Sequence, residues 1–223
     1  MTAKKIESVG PRQGYDLWSD AYDSTPNPVV AMDSRHTIAL LAPQPGELIL
    51  DAGCGTGRNF SKLERAGSSA IGIDFSFGML NVARRNHSDF PVSLADLERT
   101  LPFETGSFDA VLCALIGEHL SALLSVVQEF YRVLRPGGRL VFSVYHPDMA
   151  AAGIEANFEQ GGVEYRLGAF HYTVGEHQSF FADTGFVDTI VREFTGDEEL
   201  VRSVPSAAKY LGFPILLVLT AKK

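Results

Sequence analysis

The sequence predicts an α/β fold in which helices cover both faces of a parallel sheet. Short apolar runs alternate with segments of helical periodicity, and a glycine-rich loop joins the first clear strand to a helix. The run from Phe108 to Ala114 is almost wholly apolar, as expected of a central parallel strand. Of the 223 residues, 45 % are hydrophobic and 21 % are charged, so we expect one domain with a single large core.

Seven strands are predicted, each from a short run rich in apolar residues. In chain order they are 47–51, 69–73, 91–95, 108–114, 139–145, 187–194 and 215–221.

Helices are predicted from apolar spacing and from start and stop signals. They cover 33–41, 58–66, a segment capped by Ser76, 120–134, and a segment that runs to Thr184. The strongest signal is 120–134, where the i, i+3, i+4, i+7 spacing continues until proline and glycine residues at 135–138 end the helix. Thr173 and Glu176 have the spacing of a capping box, and Gly185 is a C-terminal stop.

Composition and charge argue against several classes of function. Lysine and arginine total 19 and aspartate and glutamate total 27, so the net charge is −8, and neither half offers a basic face for nucleic acid or anionic membrane. No apolar run approaches the ~20 residues that span a bilayer, and the polar start at 1–10 lacks the apolar core of a signal peptide. Cys54 and Cys113 are too few for a disulfide framework or a metal site, so we expect a cytoplasmic protein without a metal.

The glycine-rich loop can hold a phosphate or a carboxylate. Glycines let the backbone turn tightly and approach a ligand, and the helix N-terminus that follows offers free N–H groups. Gly53, Gly55 and Gly57 have the spacing G-x-G-x-G. The fingerprint of dinucleotide-binding loops is G-x-G-x-x-G, which requires a glycine where Arg58 stands.

Two acidic residues at strand ends make the prediction more specific. Asp74 ends the second predicted strand, where a carboxylate can accept bonds from both hydroxyls of a ribose. Asp96 ends the third, where it could meet an adenine amino group, with Leu97 covering the ring. The alternatives are that Asp74 merely caps the following helix and that Asp96 is an ordinary loop acid.

Four segments together span most of residues 47–147: LDAGCGTGRN (50–59), GIDFSFGML (72–80), LADLERTLPFETGSFDAVLC (94–113) and VLRPGGRLVFSVYHP (133–147). In this order and spacing they resemble the class I S-adenosylmethionine-dependent methyltransferases, small-molecule branch, which includes ubiquinone- and menaquinone-biosynthesis-type enzymes. The resemblance implies a Rossmann-like, doubly wound sheet of seven strands in the order 3-2-1-4-5-7-6, with strand 7 antiparallel. It also implies methyl transfer from S-adenosyl-L-methionine to oxygen or nitrogen of a small-molecule acceptor by in-line displacement, leaving S-adenosyl-L-homocysteine.

The resemblance implies a set of cofactor-binding residues. They are Asp51, Gly53, Gly55, Gly57, Arg58, Asp74, Phe75, Met79, Asp96, Leu97, Ala114, Leu115 and Tyr22. The three glycines would face the methionine part of the cofactor, and Asp51 would support their loop. Asp74 would hold the ribose diol. Ala114 and Leu115 would line the methionine side.

The same resemblance divides a single methyltransferase domain, 1–223, into four parts. They are an N-terminal helical cover (1–45), the cofactor-binding core (46–147), an acceptor-side insertion (148–175), and the last helix with the final two strands (176–223). The insertion carries Phe158, Tyr165, Arg166, Phe170, His171 and Tyr172. Aromatic and polar groups side by side suit a compact, ring-bearing acceptor, although they could equally form the underside of a surface flap.

A sulfonium methyl group is already activated, so the enzyme needs mainly to hold a nucleophile in line with it. Ligands of open α/β sheets lie beyond the carboxyl ends of the strands, which selects Gly117, Glu118, His119, Tyr145 and His146. His146 is the first candidate general base, because histidine titrates near neutral pH. The alternative is a histidine bonded to a loop carbonyl, and His119 could be a helix cap or a cofactor contact.

Tyr15 is the second catalytic candidate. The segment 15–23 resembles the N-terminal YD..A..YD element of the family, whose aromatic residues close over the site. The alternative is that Tyr15, Trp18 and Tyr22 pack as core on one helix face.

Two other functions stay open at this point: a non-catalytic S-adenosylmethionine-binding module, and an NAD(P)-dependent oxidoreductase, which Arg58 disfavours. The expected partner is a small molecule, aromatic or a specialised metabolite. The sequence decides neither oxygen against nitrogen nor the oligomeric state.

Overall fold

The computed structural model describes residues 5–223, so residues 1–4 of the predicted N-terminal cover lie outside the described part. The strands are β1 Lys5–Ser8, β2 Leu48–Ala52, β3 Ser69–Asp74, β4 Val92–Leu94, β5 Phe108–Ala114, β6 Leu134–Tyr145, β7 Asn157–Gln160, β8 Val163–Arg166, β9 Val187–Thr195 and β10 Pro214–Lys222. The α-helices are α1 Pro11–Trp18, α2 Pro28–Leu41, α3 Phe60–Arg65, α4 Phe77–Asn86, α5 Leu123–Val133, α6 Pro147–Ala151, α7 Val174–Thr184 and α8 Glu198–Ser203. Short 3-10 turns cover Tyr22–Ser24, Gly117–His119 and Pro205–Tyr210.

The main sheet has seven strands in the order β4-β3-β2-β5-β6-β10-β9. Its strands pair in parallel except β10, which is antiparallel to both neighbours. This arrangement confirms the predicted α/β fold and the predicted strand order. The carboxyl ends of β2, β3 and β5 therefore meet at one edge, where an open α/β sheet binds its ligands.

The core lies on both faces of this sheet. Successive residues of β10 alternate between two apolar clusters: Leu216 and Val218 belong to one, and Leu217 and Leu219 to the other. The first cluster packs against α2, α3 and α4, and the second against α5 and α7. Strands that are buried on both faces read as continuous apolar runs, which explains why periodicity located them.

The segment 135–138 differs from the prediction. The helix predicted over 120–134 is shorter, α5, and the following residues already belong to β6. Leu134 pairs with Phe108 of β5, and the register shifts before Ala110 pairs with Arg139. Pairing with β5 thus draws the proline and glycine residues into an irregular strand, where the local sequence predicted a turn.

A second sheet has three strands, in the order β1-β8-β7, and its strand β1 lies in the segment for which an N-terminal helical cover was predicted, ahead of the helices α1 and α2. β1 pairs in parallel with β8, and β7 pairs antiparallel with β8. A four-residue strand such as β1 is too short for an alternation signal and takes its hydrogen bonds from a distant part of the chain. Gly161 and Gly162, with φ of 59° and 80°, form the two-residue turn of the β7–β8 hairpin, so part of the insertion is a regular β-hairpin.

Local capping agrees with the prediction at two helices. The Ser76 hydroxyl accepts a hydrogen bond from the Met79 backbone N–H at the start of α4. Thr173 and Glu176 form the full capping box of α7, and Gly185 follows it with φ of 99°. Within residues 5–223, the helices are too short or too polar for any of them to cross a bilayer.

Candidate active site

A cavity of about 550 Å³, the cofactor-side cavity, opens at the carboxyl ends of β2, β3 and β5. The predicted residues that line it are Tyr15, Tyr22, Gly53, Gly55, Arg58, Asp74, Phe75, Met79, Asp96, Leu97, Ala114 and Leu115. The structure thus brings together residues that are far apart in the sequence. Asp51, Gly57 and His146 are not among the lining residues.

Two glycines of the loop have different surroundings. Both have positive φ, 79° at Gly53 and 55° at Gly55. A Cβ atom at Gly53 would lie 2.5 Å from Ile116 Cγ1, so packing requires this glycine. A Cβ atom at Gly55 would meet nothing within 4 Å, so this part of the loop borders open space. The loop can therefore let a ligand approach its backbone at Gly55.

Asp74 holds the loop to the start of α4. Its carboxylate accepts hydrogen bonds from the Gly55 N–H at 2.9 Å and from the Ser76 N–H at 2.8 Å. Burial raises the pKa of Asp74 to about 6. An ionised carboxylate has about four lone-pair sites, so two remain for the hydroxyls of a ribose. The cap of α4 is Ser76, which argues against capping as the main role of Asp74.

Arg58 brings a positive charge to the cofactor-side cavity. Its guanidinium donates to Asp33 at 2.5 Å and to the Ser34 hydroxyl at 3.1 Å. Asp33 is fully buried and also accepts from Ser143 of β6. This network fixes Arg58 between α2 and the glycine loop, where its charge suits the carboxylate of an amino-acid ligand.

Asp51 lies below the loop rather than in the cavity wall. Its carboxylate is 1 % exposed, and neither oxygen has a hydrogen-bond partner. Burial raises the pKa of Asp51 to about 7. A buried polar group without a partner is costly, so the predicted supporting role lacks a direct bond to the loop here.

The adenine side of the cavity combines apolar surface with one acid. Phe75, Met79 and Leu97 line it together with Asp96. Arg12, which the sequence analysis missed, also lines it, with its guanidinium 5.6 Å from the Phe75 ring centre and 3.9 Å from the Asp96 carboxylate. No local pattern marks Arg12, because its contacts come only from the docking of α1.

Of the N-terminal aromatic residues, Tyr15 and Tyr22 line the cofactor-side cavity, whereas Trp18 packs in a small separate core. The Tyr15 hydroxyl lies 3.0 Å from His119 Nε2, and Tyr15 and Tyr22 line the cofactor-side cavity. Trp18 instead belongs to a small core, where its ring stacks on Phe158 at 5.0 Å between centres. Burial raises the pKa of Tyr22 to about 12, so its phenol is neutral at physiological pH.

Glu118 and His119 follow β5 as the strand-end rule predicts. Burial raises the pKa of Glu118 to about 7, and neither carboxylate oxygen has a hydrogen-bond partner. Burial lowers the pKa of His119 to about 4, so its ring is neutral. The chain thus places an unpaired buried carboxyl beside the aromatic cover.

His146 has hydrogen-bond partners outside the cofactor-side cavity. Its Nε2 lies 2.8 Å from the Glu193 carboxylate, and its Nδ1 accepts from the Asp148 backbone N–H as the N-cap of α6. Both ring nitrogens therefore have partners, and Pro147 begins a helix directly after it. The structure does not bring this candidate base to the cofactor-side cavity.

A second cavity of about 310 Å³, the acceptor-side cavity, lies beside the first. Phe170, His171 and Tyr172 of the predicted insertion line it, together with Glu118 and Tyr145. Phe158 and Tyr165 stack on each other at 5.1 Å in the small core, and Arg166 pairs with Glu164. The insertion is thus partly a wall of this cavity and partly a support for the cover.

The observed sheet order is the one that the resemblance to class I methyltransferases implies, and the cavity lies at the edge where this doubly wound fold binds its ligands. Residues 50–142 match the family model described as a methyltransferase domain. A crystal structure of an S-adenosylmethionine-dependent methyltransferase from Mesorhizobium loti has a TM-score of 0.74 at 24 % identity, over 88 % of this chain and 100 % of that one. At this identity the likeness shows the fold.

Two curated relatives are similar over the core. A demethylmenaquinone methyltransferase from Beutenbergia cavernae is 36 % identical over 134 residues, 59 % of this chain and 53 % of the relative. A malonyl-[acyl-carrier protein] O-methyltransferase from Yersinia pestis is 35 % identical over 126 residues, 56 % of this chain and 46 % of the relative. The chain thus spans about half the length of these relatives.

These findings confirm the predicted resemblance. Residues 50–142 match the model of a methyltransferase domain, and the similar relatives and solved structures are methyltransferases, several of them described as S-adenosylmethionine-dependent. The roles of individual residues stay predictions.

Proposed function

We propose that this chain transfers the methyl group of S-adenosylmethionine to a small-molecule acceptor. The observation that carries the proposal is the match between the cofactor-side cavity and the parts of that cofactor. Arg58 offers charge for the amino-acid carboxylate, Asp74 offers lone pairs for the ribose, and Asp96 with its apolar neighbours suits adenine. The open space above Gly55 leaves room for the part of the cofactor that joins its amino-acid carboxylate to its ribose.

The bound cofactor would supply a methyl group on a positively charged sulfur, which departs as a neutral thioether. The chain's own residues would do the rest. Tyr15 and Tyr22 cover the cavity and exclude water, and the loop after β5 positions the acceptor beside it. Holding the reacting groups in line can lower the barrier by ~7–11 kcal/mol, so catalysis does not require an elaborate acid–base apparatus.

Both alternatives are less favoured. A purely binding module needs no second enclosed space, but an acceptor-side cavity lies next to the first. The fingerprint of a dinucleotide oxidoreductase needs a glycine at position 58 for close packing of the helix on the strand, but Arg58 carries a bulky side chain paired with Asp33. The acceptor's identity, a cytoplasmic location and the lack of a nucleic-acid partner stay predictions.

The test is calorimetric titration of the purified chain with S-adenosylhomocysteine. We expect Asp74→Ala to weaken binding at least tenfold, because the variant loses the proposed acceptor of the ribose hydroxyls. Asp183→Ala, at an exposed position on α7, is the matched control and should bind as the wild type does. Equal affinity of Asp74→Ala and wild type would refute the ribose assignment. Binding of NADH in place of S-adenosylhomocysteine would refute the proposed function.

A further inference from the structure

The two cavities share one wall. In the loop after β5, Ile116 and His119 line the cofactor-side cavity, whereas Gly117 and Glu118 line the acceptor-side cavity. Phe170 lines both, and its backbone N–H donates to the Glu118 carbonyl at 2.7 Å. A molecule in the acceptor-side cavity would therefore lie next to one in the cofactor-side cavity.

Two buried residues that line the acceptor-side cavity have side-chain atoms without a hydrogen-bond partner in the described part of the chain, and these atoms can act as acceptors. Glu118 is 6 % exposed, and both of its carboxylate oxygens are unpartnered. His177 is 2 % exposed, and its Nε2 is unpartnered. Its Nδ1 lies 2.8 Å from the Thr173 carbonyl, which accepts only, so Nδ1 carries the proton and Nε2 presents a lone pair. Both residues line the cavity, so a ligand that satisfies these groups would bring hydrogen-bond donors to them.

The charges around this cavity have one sign. Among the residues in 5–223 that line it, Glu118, Asp148 and Glu155 are acidic, and none is lysine or arginine. Asp148 lies 3.7 Å from His146 Nδ1, and Glu155 lies 4.0 Å from Arg166. The one basic side chain within 4 Å of the Glu118 carboxylate in residues 5–223 is His119, at 3.9 Å, and its ring is neutral because burial lowers its pKa to about 4.

The remaining walls are aromatic and aliphatic. Tyr145, Phe170 and Tyr172 line the cavity, and aromatic faces attract cations as well as rings. Its volume of about 310 Å³ is at the small end of ligand pockets, so the ligand is compact. An anionic ligand would meet repulsion from Glu118, and a neutral alcohol would bring only one donor for two acceptors.

We propose that the acceptor is a compact aryl-alkyl amine, which binds in the acceptor-side cavity as an ammonium ion opposite Glu118 and is methylated on nitrogen. This inference rests on the proposed function and names its substrate class. A nearby cation lowers the pKa of a carboxyl, so a bound ammonium ion would favour the ionised form of Glu118.

Glu118 is then the catalytic residue for proton removal. Its carboxylate takes one proton from the ammonium ion, which leaves a neutral amine with a free lone pair. That lone pair forms the new N–C bond to the methyl carbon as the C–S bond breaks, with the bonding pair remaining on sulfur. The product is a methylated ammonium ion, and Glu118 returns its proton to water.

The test uses the chain saturated with S-adenosylhomocysteine and three probes of similar shape: phenethylamine, 2-phenylethanol and 3-phenylpropanoate. Calorimetry should show phenethylamine binding at least about tenfold more tightly than the other two, because only it brings charge and several donors. Glu118→Gln should abolish this preference and leave the affinity for S-adenosylhomocysteine unchanged. Glu104→Gln, at an exposed glutamate that lines neither cavity, is the control and should keep the preference.

Equal or tighter binding of the alcohol or the acid by the wild type would overturn the inference, as would no binding of any probe. This comparison needs no variant, so it holds even where Glu118→Gln does not fold. A preference that persists in folded Glu118→Gln would overturn the assignment of Glu118. The proposed function fails separately, if the wild type does not bind S-adenosylhomocysteine in the first titration.

Discussion

Gly55 and Gly46 have similar backbones and different surroundings. Both have positive φ, 55° and 83°, and at neither would a Cβ atom meet anything within 4 Å. Alanine at either position should cost ~1–2 kcal/mol of folding free energy, because L-residues avoid this conformation. Only at Gly55 would the added methyl group enter the cofactor-side cavity.

We therefore expect Gly55→Ala to lower the affinity for S-adenosylhomocysteine at least tenfold. Gly46→Ala should lose a similar free energy of unfolding and bind normally. Urea unfolding measures the first quantity and calorimetry the second. Similar affinity in both variants would mean that the cofactor does not approach the backbone at Gly55.

The sequence alone could not rank the candidate catalytic residues. The strand-end rule selected both Glu118 and His146, and chemistry at neutral pH favoured the histidine. The structure gives His146 partners at both nitrogens and leaves the Glu118 carboxylate with none. Hydrogen-bond partners come from other elements, such as Glu193 of β9 for His146, so a strand-end position alone could not rank the two.

At the scale of elements, the Asp16 side chain of α1 joins this helix to the start of α4. The Asp16 carboxylate accepts from the Ser76 hydroxyl at 2.7 Å and from the Gly78 N–H at 2.8 Å, at the N-terminus of α4. A Cβ atom at Gly78 would lie 2.9 Å from the backbone carbonyl oxygen of Asp16, so α1 approaches α4 closely. Because Tyr15 is on the same helix, this contact also positions the aromatic cover.

We expect Asp16→Ala to loosen the cover. Amide hydrogen exchange across α1 should become faster, and the affinity for S-adenosylhomocysteine should fall several-fold, because a loss of about 1 kcal/mol at this contact favours the open position. Asp20→Ala is the control: Asp20 is exposed and pairs with Arg85 at 2.7 Å, and exposed pairs contribute little. Unchanged exchange in Asp16→Ala would show that other contacts hold α1.

The strand β1 could not be predicted from its own sequence. Five of the seven main strands, β2, β3, β5, β6 and β10, each contain a run of buried, mostly apolar residues, which made them predictable, whereas β4 and β9 are more exposed. β1 has the pattern KIES, largely exposed, and exists because β8 supplies its hydrogen bonds. The Gly161-Gly162 hairpin turn was the signal that could have revealed β7 and β8.

For the whole molecule, the site carries buried carboxyl groups that oppose folding when ionised. Burial raises the pKa of Asp51 and Glu118 to about 7 and that of Asp74 to about 6. A raised pKa favours the protonated form in the folded chain. The stability from each group is thus complete below its unfolded pKa and is lost as pH rises through its folded pKa.

The Glu118→Gln variant measures the contribution of one of these carboxyl groups to the pH dependence of stability. Between pH 4.5 and pH 8 the wild type should lose about 3 kcal/mol more unfolding free energy than the variant, because the pKa of Glu118 rises from 4.5 to about 7 on folding. Urea unfolding of both proteins at the two pH values gives the difference, and other groups cancel. Glu104→Gln should show the wild-type pH dependence. Parallel profiles for wild type and Glu118→Gln would show that Glu118 does not titrate abnormally.

The sequence by itself determined the sheet, its strand order through the resemblance, and the candidates for the cofactor-side cavity. These follow from signals carried by adjacent residues: apolar runs, a glycine loop and acids at strand ends. Only the tertiary structure decided which polar groups have partners, how the N-terminal segment joins the insertion in a second sheet, and where the acceptor-side cavity lies. Each of these features depends on contacts between side chains and backbone groups from distant segments of the chain. Local sequence patterns do not predict such contacts.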